Sequence, residues 1–263
     1  MKNLLHEIAD SVQASIHERI DDPSEVVGMG ADGTPTQKID AIAEQAVFRL
    51  LESRGLHYTV VSEEAGRVEC EGEWTLVLDP IDGTHNAIRG VPAYAVSVAA
   101  CRRAPTGKRE RLSDVTSGLV RDLVSGHTYY AERNGGATLN GQRIRVRRPY
   151  RPDDTVFDVY LGEKAHSRGS DVARIARRVR NLGAASLDLC LVARGAVDLY
   201  YLHSTEVGHE LRAMDIAAGT LIVREAGGNV ADLDGRPLDM PIDPKARSNV
   251  IAYGDEQVLE LIR

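Results

Sequence analysis

Leu4, Leu5, Ile8, Val12 and Ile16 recur at spacings of three and four, and predict an amphipathic helix over 2–19, ended by Asp21-Asp22-Pro23-Ser24. A second stripe, Ile39, Ile42, Ala43, Ala46, Val47, Leu50 and Leu51, predicts a helix over 37–53 that Gly55 stops. Residues 28–36, Gly-Met-Gly-Ala-Asp-Gly-Thr-Pro-Thr, read as a mobile glycine-rich loop. Its Gly-x-Gly is a weak phosphate-loop signal, because no strand precedes it and no Lys-Ser/Thr follows.

The period then changes to that of strands. Thr59-Val60-Val61-Ser62 predicts a strand running into Glu63-Glu64-Ala65-Gly66. Trp74-Thr75-Leu76-Val77-Leu78 predicts a buried strand that Pro80 should end, since proline cannot donate to a ladder. Residues 93–100 alternate small apolar side chains and predict another strand, and 104–114 read as an exposed charged loop. Strands at 118–122 and 128–131 flank the hairpin signal Ser125-Gly126. Asn140-Gly141 marks a second turn, followed by an exposed alternating strand over 143–147. The arginines of 143–151 suit an outward strand face better than an anion site.

Pro149-Tyr150-Arg151-Pro152 is the candidate boundary between two parts, 1–148 and 149–263. The second part reads as a strand at 155–160, a basic helix at 170–180, an apolar helix at 184–195 and a strand at 197–202. A polar loop at 203–210 leads to a helix over 215–226, strands at 229–232 and 249–253, and a last helix over 255–263. Strands alternating with helices argue an α/β arrangement here.

Composition narrows the possible partners. The chain has 263 residues, 43% of them apolar, and a formal net charge of −7. Nucleic acid and anionic membrane are poor partners for such a surface, and an anionic substrate would need a metal or local arginines. No apolar run reaches the length of a membrane span, and Met1-Lys2-Asn3-Leu4-Leu5-His6-Glu7 carries charge where a signal peptide would be apolar. The expected compartment is the cytoplasm. Cys70, Cys101 and Cys190 lack Cys-x-x-Cys spacing and read as reduced thiols, the latter two buried.

The chemistry concentrates at Leu78-Asp79-Pro80-Ile81-Asp82-Gly83-Thr84-His85-Asn86-Ala87. A bend there can aim two carboxylates and the Ile81 carbonyl at one point, a donor set suited to a hard cation such as Mg²⁺. Helix N–H groups after Gly83 favour an anion. Asp79-Pro80-Ile81-Asp82-Gly83 is also an ordinary turn sequence. Asp40 in a first helical turn, Glu63-Glu64 at a strand end and Asp215 at a helix start each have a plain structural reading too: dipole matching, a solvated edge and a cap.

Taken together, Glu63-Glu64, Asp79-Pro80-Ile81-Asp82-Gly83-Thr84 and Asp215-Ile216-Ala217-Ala218-Gly219 with Glu225-Ala226-Gly227-Gly228 resemble the inositol monophosphatase family. The resemblance covers nearly the whole chain. The loop Gly30-Ala31-Asp32-Gly33-Thr34-Pro35-Thr36 with Ile39-Asp40 looks like its archaeal branch, whose members hydrolyse fructose 1,6-bisphosphate and inositol monophosphate. The resemblance implies an α/β (α+β) fold, a layered α-β-α-β-α sandwich of the sugar phosphatase type, usually dimeric. It implies Glu63, Asp79, the carbonyl of Ile81, Asp82 and Asp215 as ligands of two or three Mg²⁺ ions, Mn²⁺ being an alternative. Asp40, Glu64 and Thr84 would act around the attacking water. Asp82, Gly83, Thr84, Ala185 and Ser204 would lie on the substrate side, and Arg180 would meet a second phosphate.

Departures from the pattern fall at Ala87, Met214, Leu202 and Ser204. The last two stand where relatives carry a glutamate for inositol hydroxyls or an arginine for a distal phosphate; Arg212, His203 and His209 are nearby candidates. The expected partner is therefore a small phosphorylated sugar or inositol. The alternatives are the same chemistry on a 3′-phosphoadenosine nucleotide, or a non-catalytic regulator that binds a phosphorylated metabolite.

Overall fold

A computed structural model describes every residue except 18, 19, 32, 106, 207 and 263. The chain opens with α1 (Lys2–His17), a hairpin of β1 (Val26–Met29) and β2 (Pro35–Gln37), and α2 (Lys38–Ser53). Next come β3 (Thr59–Ser62), β4 (Arg67–Val68), β5 (Trp74–Asp82), α3 (Thr84–Arg89), β6 (Ala95–Arg102), β7 (Val115–Asp122), β8 (Thr128–Glu132), β9 (Gly136–Leu139) and β10 (Gln142–Arg143). These form an eight-stranded sheet in the order β10-β9-β8-β7-β6-β5-β3-β4, in which only β3 and β5 are parallel.

After residue 149 follow β11 (Val156–Val159), α4 (Ser167–Ile175), β12 (Arg178–Arg180), α5 (Ala185–Ala193), β13 (Leu199–Leu202), β14 (Leu211–Arg212), α6 (Ala213–Glu225), β15 (Asn229–Ala231), β16 (Arg247–Ser248), β17 (Val250–Tyr253) and α7 (Glu256–Ile262). A second sheet runs β12-β11-β13-β17-β15, and β14 pairs with β16 as a separate ribbon.

Alternation along the strands builds the layers. Leu76 and Leu78 of β5 face α1 and α2, sharing a cluster with Leu5, Ile8, Val12, Ile39, Ala43 and Val47. Val77, one residue out of phase, faces the other way into a cluster with Leu189, Val192, Ile216 and Ile222 of α5 and α6. That cluster also takes in Tyr200, Leu202, Val250 and Ala252 of the second sheet. The far face of that sheet, through Phe157, Val159, Leu199 and Tyr201, packs on Val172 of α4 and on Val258, Leu259 and Ile262 of α7. The layers are α1α2, sheet, α5α6, sheet, α4α7: the expected α-β-α-β-α sandwich.

Local expectations fail where a tertiary partner intervenes. Pro80 does not end β5. Asp79 pairs with Ser97 and Asp82 with Ala95, so β5 carries one extra residue, a bulge that accommodates the proline. The 28–36 loop is largely a hairpin closed by Gly30 N–H to Thr34 O (2.8 Å); its Asp32 lies outside the described residues. The 104–114 stretch is not simply exposed, since Glu110 and Leu112 are buried. The strand expected over 143–147 stops at Arg143, and Val146 turns inward, its N–H bonded to Ala226 O (3.1 Å). The basic helix of 170–180 ends at Ile175, and Arg180 stands on edge strand β12. The Asn140-Gly141 turn holds, with positive φ at both residues (49° and 79°).

Cys101 and Cys190 are buried, Cys70 is half-buried, and all three are free thiols. Among the described residues no helix is long and apolar enough to cross a membrane.

Candidate metal centre and active-site cleft

β5 is buried along its length and ends in Asp79, Pro80, Ile81 and Asp82, so its apolar half anchors a rigid acidic end. Gly83 then turns the chain into α3 with φ +88°. A Cβ there would lie 3.0 Å from Ala93 O and 3.1 Å from the Ala184 Cβ, so both conformation and space require glycine.

Parallel pairing sets the next residue. Ser62 lies opposite Leu78, which carries Glu63 to the level of Asp79. Asp215 arrives from the first turn of α6, where it accepts the Arg212 N–H at 2.8 Å. Carboxylate oxygens of Glu63, Asp79 and Asp215 all lie within 4.8 Å of one another. Asp82 is held differently: it accepts the N–H groups of Ala185 (3.1 Å) and Ser186 (2.7 Å) at the start of α5, and the Ser186 hydroxyl.

In the same cleft, the Thr84 hydroxyl lies 2.9 Å from Asp40 Oδ1 and 2.9 Å from Ile81 O, so its single proton is shared between them. Glu64 takes a hydrogen bond from Thr36 of β2 on its side chain and from the Ala31 N–H (3.0 Å) on its carbonyl. The hairpin thereby closes over the glutamate.

Burial sets the electrostatics. Asp79 is 2% exposed, and desolvation, with Glu63, Asp82 and Asp215 nearby, holds its pKa well above the ordinary carboxylate range. Burial also pushes Glu63 to about 8, against the opposing pull of Arg212. Asp40 is raised to about 7 by burial, with the Thr84 bond opposing, and Asp82 to about 6 by burial, with Ser186 opposing. Asp79 Oδ1 is buried without a hydrogen-bond partner. An all-oxygen cluster containing an orphaned buried carboxylate oxygen fits a hard divalent cation.

These groups line a cleft of about 620 Å³ together with Gly83, Thr84 and Ala185. Two expected substrate-side residues are not in its lining. Arg180 is exposed on β12, its Nη1 bonded to Val179 O (2.8 Å). Ser204 is buried, its hydroxyl bonded to Lys164 O (3.3 Å) and Glu206 O (3.1 Å). The cleft wall does include Arg212 and Arg247, cross-strand partners on the β14–β16 ribbon. Arg247 was missed in the sequence; nothing local marks it, because the ribbon that brings it in joins strands more than thirty residues apart. Arg212 is legible in the sequence only through its i, i+3 relation to Asp215 at a helix start, which reads as a cap.

A model of the inositol monophosphatase family matches residues 2–262. The chain belongs to the inositol monophosphatase family. A fructose-1,6-bisphosphatase/inositol-1-monophosphatase of Methanothermobacter thermautotrophicus is 36% identical, covering 99% of this chain and 94% of its own length. A bifunctional NADP phosphatase/NAD kinase of Methanococcus maripaludis is 32% identical over 94% of this chain but only 46% of its own length. A crystal structure of an inositol monophosphatase–fructose 1,6-bisphosphatase superposes with a TM-score of 0.85 at 29% identity, covering 99% of this chain and 97% of that one. The family is one of metal-dependent phosphatases, and by that membership this chain is a phosphoric monoester hydrolase.

Proposed function

We propose that this family member hydrolyses fructose 1,6-bisphosphate and inositol 1-phosphate with Mg²⁺, by attack of water on phosphorus. The observation that carries the reading is the convergence of Glu63, Asp79 and Asp215 in a cleft that the Asp40–Thr84 pair also lines. Glu63, Asp79, Asp215, the Ile81 carbonyl and Asp82 are the residues that would hold the metal. When bound, Mg²⁺ would offset phosphate charge, acidify a water and steady the leaving oxygen.

The chain's own groups do the rest. Asp40, with a carboxyl near neutrality, is suited to accept a proton at Oδ1. The Thr84 hydroxyl, pinned between Asp40 and the Ile81 carbonyl, orients the donor of that proton. Glu64, steadied by Thr36, lines the same cleft and would act on the same water. Gly83 and Thr84 line the part of the cleft suited to the phosphate, and Ala185 lines the part taken by the polyol.

A panel of phosphate esters assayed with and without Mg²⁺ tests the reading. Turnover of both named substrates, abolished by chelation and restored by Mg²⁺, is expected. Failure on both would defeat the substrate assignment. Turnover of NADP instead would favour a dinucleotide phosphatase, a second reading supported by the likeness to the Methanococcus protein.

The same panel tests the distal end of the cleft. Arg247 lines the cleft beside Arg212, whereas Arg180 stands on an edge strand. Arg247→Ala is expected to raise KM for fructose 1,6-bisphosphate about tenfold and to leave inositol 1-phosphate nearly unchanged, the size of one lost charge-assisted bond. The same selective loss in Arg180→Ala, and none in Arg247→Ala, would transfer the role to Arg180.

A further inference from the structure

The acidic cluster already contains a cation, and it belongs to the chain. The Arg212 guanidinium bonds Glu63 through Nη1 and Asp215 through Nε, at 3.0 Å to Oδ1 and 3.3 Å to Oδ2. Those are two of the three carboxylates whose oxygens lie close enough to meet one ion. Resting on the metal-dependent reading above, we infer that Arg212 is the resident counter-cation of the cluster and that metal loading displaces it.

Four observations support this. First, lone pairs: Glu63 Oε1 and both Asp215 oxygens accept from Arg212, while Asp79 Oδ1 has no partner. An arriving metal therefore finds Asp79 Oδ1 unused and must compete with Arg212 for Glu63 Oε1 and the Asp215 oxygens. Second, charge: Glu63, Asp79, Asp82 and Asp215 converge from three elements, and like charges so placed repel unless a cation stands among them. Third, burial: the Arg212 side chain is 17% exposed and the Glu63 side chain 18%, so solvent screens the pair little. Fourth, freedom to move: the Arg212 main chain is tied to Asp215 through its N–H and to β16 through the ribbon, so the backbone holds its place. The side chain faces the 620 Å³ cleft, which gives the guanidinium somewhere to go. The cluster is thus preassembled around an arginine before it meets its metal, and affinity is lowered by the competition. Couplings between two such cations run from about fivefold to over a hundredfold.

Mn²⁺ binding, followed by the free-ion electron paramagnetic signal, tests the inference on wild type, Arg212→Gln and Asp79→Asn. Arg212→Gln is expected to bind Mn²⁺ about tenfold more tightly than wild type. Its Tm without metal should be lower, and the gap should close as Mn²⁺ saturates. Unchanged or weaker binding would overturn the inference, making Arg212 a helix cap or a preorganising residue. Binding lost in Asp79→Asn but equal in wild type and Arg212→Gln would defeat this inference alone. Wild-type binding that survives Asp79→Asn would place the cation elsewhere and defeat the metal-site reading as well. Should the glutamine variant not fold, the wild-type protein still decides. The Arg212 Nε–H resonance, assigned by its loss in Arg212→Lys, should shift and exchange faster as Mg²⁺ is added. A resonance unmoved through saturation would overturn the inference.

Discussion

Asp79→Asn is expected to lower kcat by on the order of 10³-fold while leaving the metal-free protein at least as stable as wild type. Most substitutions of buried residues destabilise, so the second half of the expectation is the discriminating one. It follows from where the charge sits. Asp79 is almost wholly buried, has an oxygen without a partner, and faces Glu63, Asp82 and Asp215. An amide has nearly the same shape, removes the buried charge and its repulsions, and gives a cation far less to hold. The activity loss and the stability gain therefore share one cause. Assays at saturating Mg²⁺, with thermal melts in chelator and in Mg²⁺, would check both halves, and the rise in Tm that Mg²⁺ gives wild type should be missing. Turnover within tenfold of wild type, or a melt in chelator several degrees lower, would refute this account of Asp79.

Glu110→Ala should have a comparably large effect, on stability and not on turnover. Glu110 is fully buried and accepts from Arg67 Nη1 (2.9 Å) and Nη2 (3.2 Å), from the Thr75 hydroxyl (2.8 Å) and from the Ala104 N–H (3.0 Å). Burial alone would push its carboxyl upward; the four donors prevail and hold it at about 2. Its folded pKa thus lies below its unfolded value of 4.5. The stabilisation is complete above pH 4.5 and is lost as pH falls toward 2, by about 3 kcal/mol. Truncation leaves the Arg67 guanidinium, 11% exposed, with Glu69 as its remaining acidic partner and strips the Thr75 hydroxyl and Ala104 N–H of their acceptor, at a cost of roughly 3 kcal/mol. Denaturant melts from pH 7 to pH 2 should show a lower plateau and a flatter acid limb than wild type. Folded Glu110→Ala should keep its kcat, because Thr75 and Asp79 are separated by about 13 Å of strand. An acid limb as steep as that of wild type would assign the acid sensitivity to other carboxylates.

The sequence by itself determined the elements whose cause is local. Two apolar stripes at helical spacing specified α1 and α2, and β-branched runs specified β3 and the buried half of β5, because side chains three, four or two positions apart share a face whatever lies beyond. The three acidic segments and their glycines were also legible, since Gly83 and the turn at Asn140-Gly141 need backbone conformations that few residues adopt. Tertiary structure decided what those segments face. A bulge carried β5 through Pro80, the β3–β5 register set Glu63 beside Asp79, and packing of α6 against the sheet brought Asp215 to both. It also committed Asp82 to the N–H groups of α5, set Arg212 between Glu63 and Asp215, left Arg180 on an edge and brought Arg247 to the cleft. None of these has a local cause: Glu63 and Arg212 lie 149 residues apart along the chain. Periodicity acts over a few residues, whereas the meeting of two charges depends on which faces of the layers bury each other.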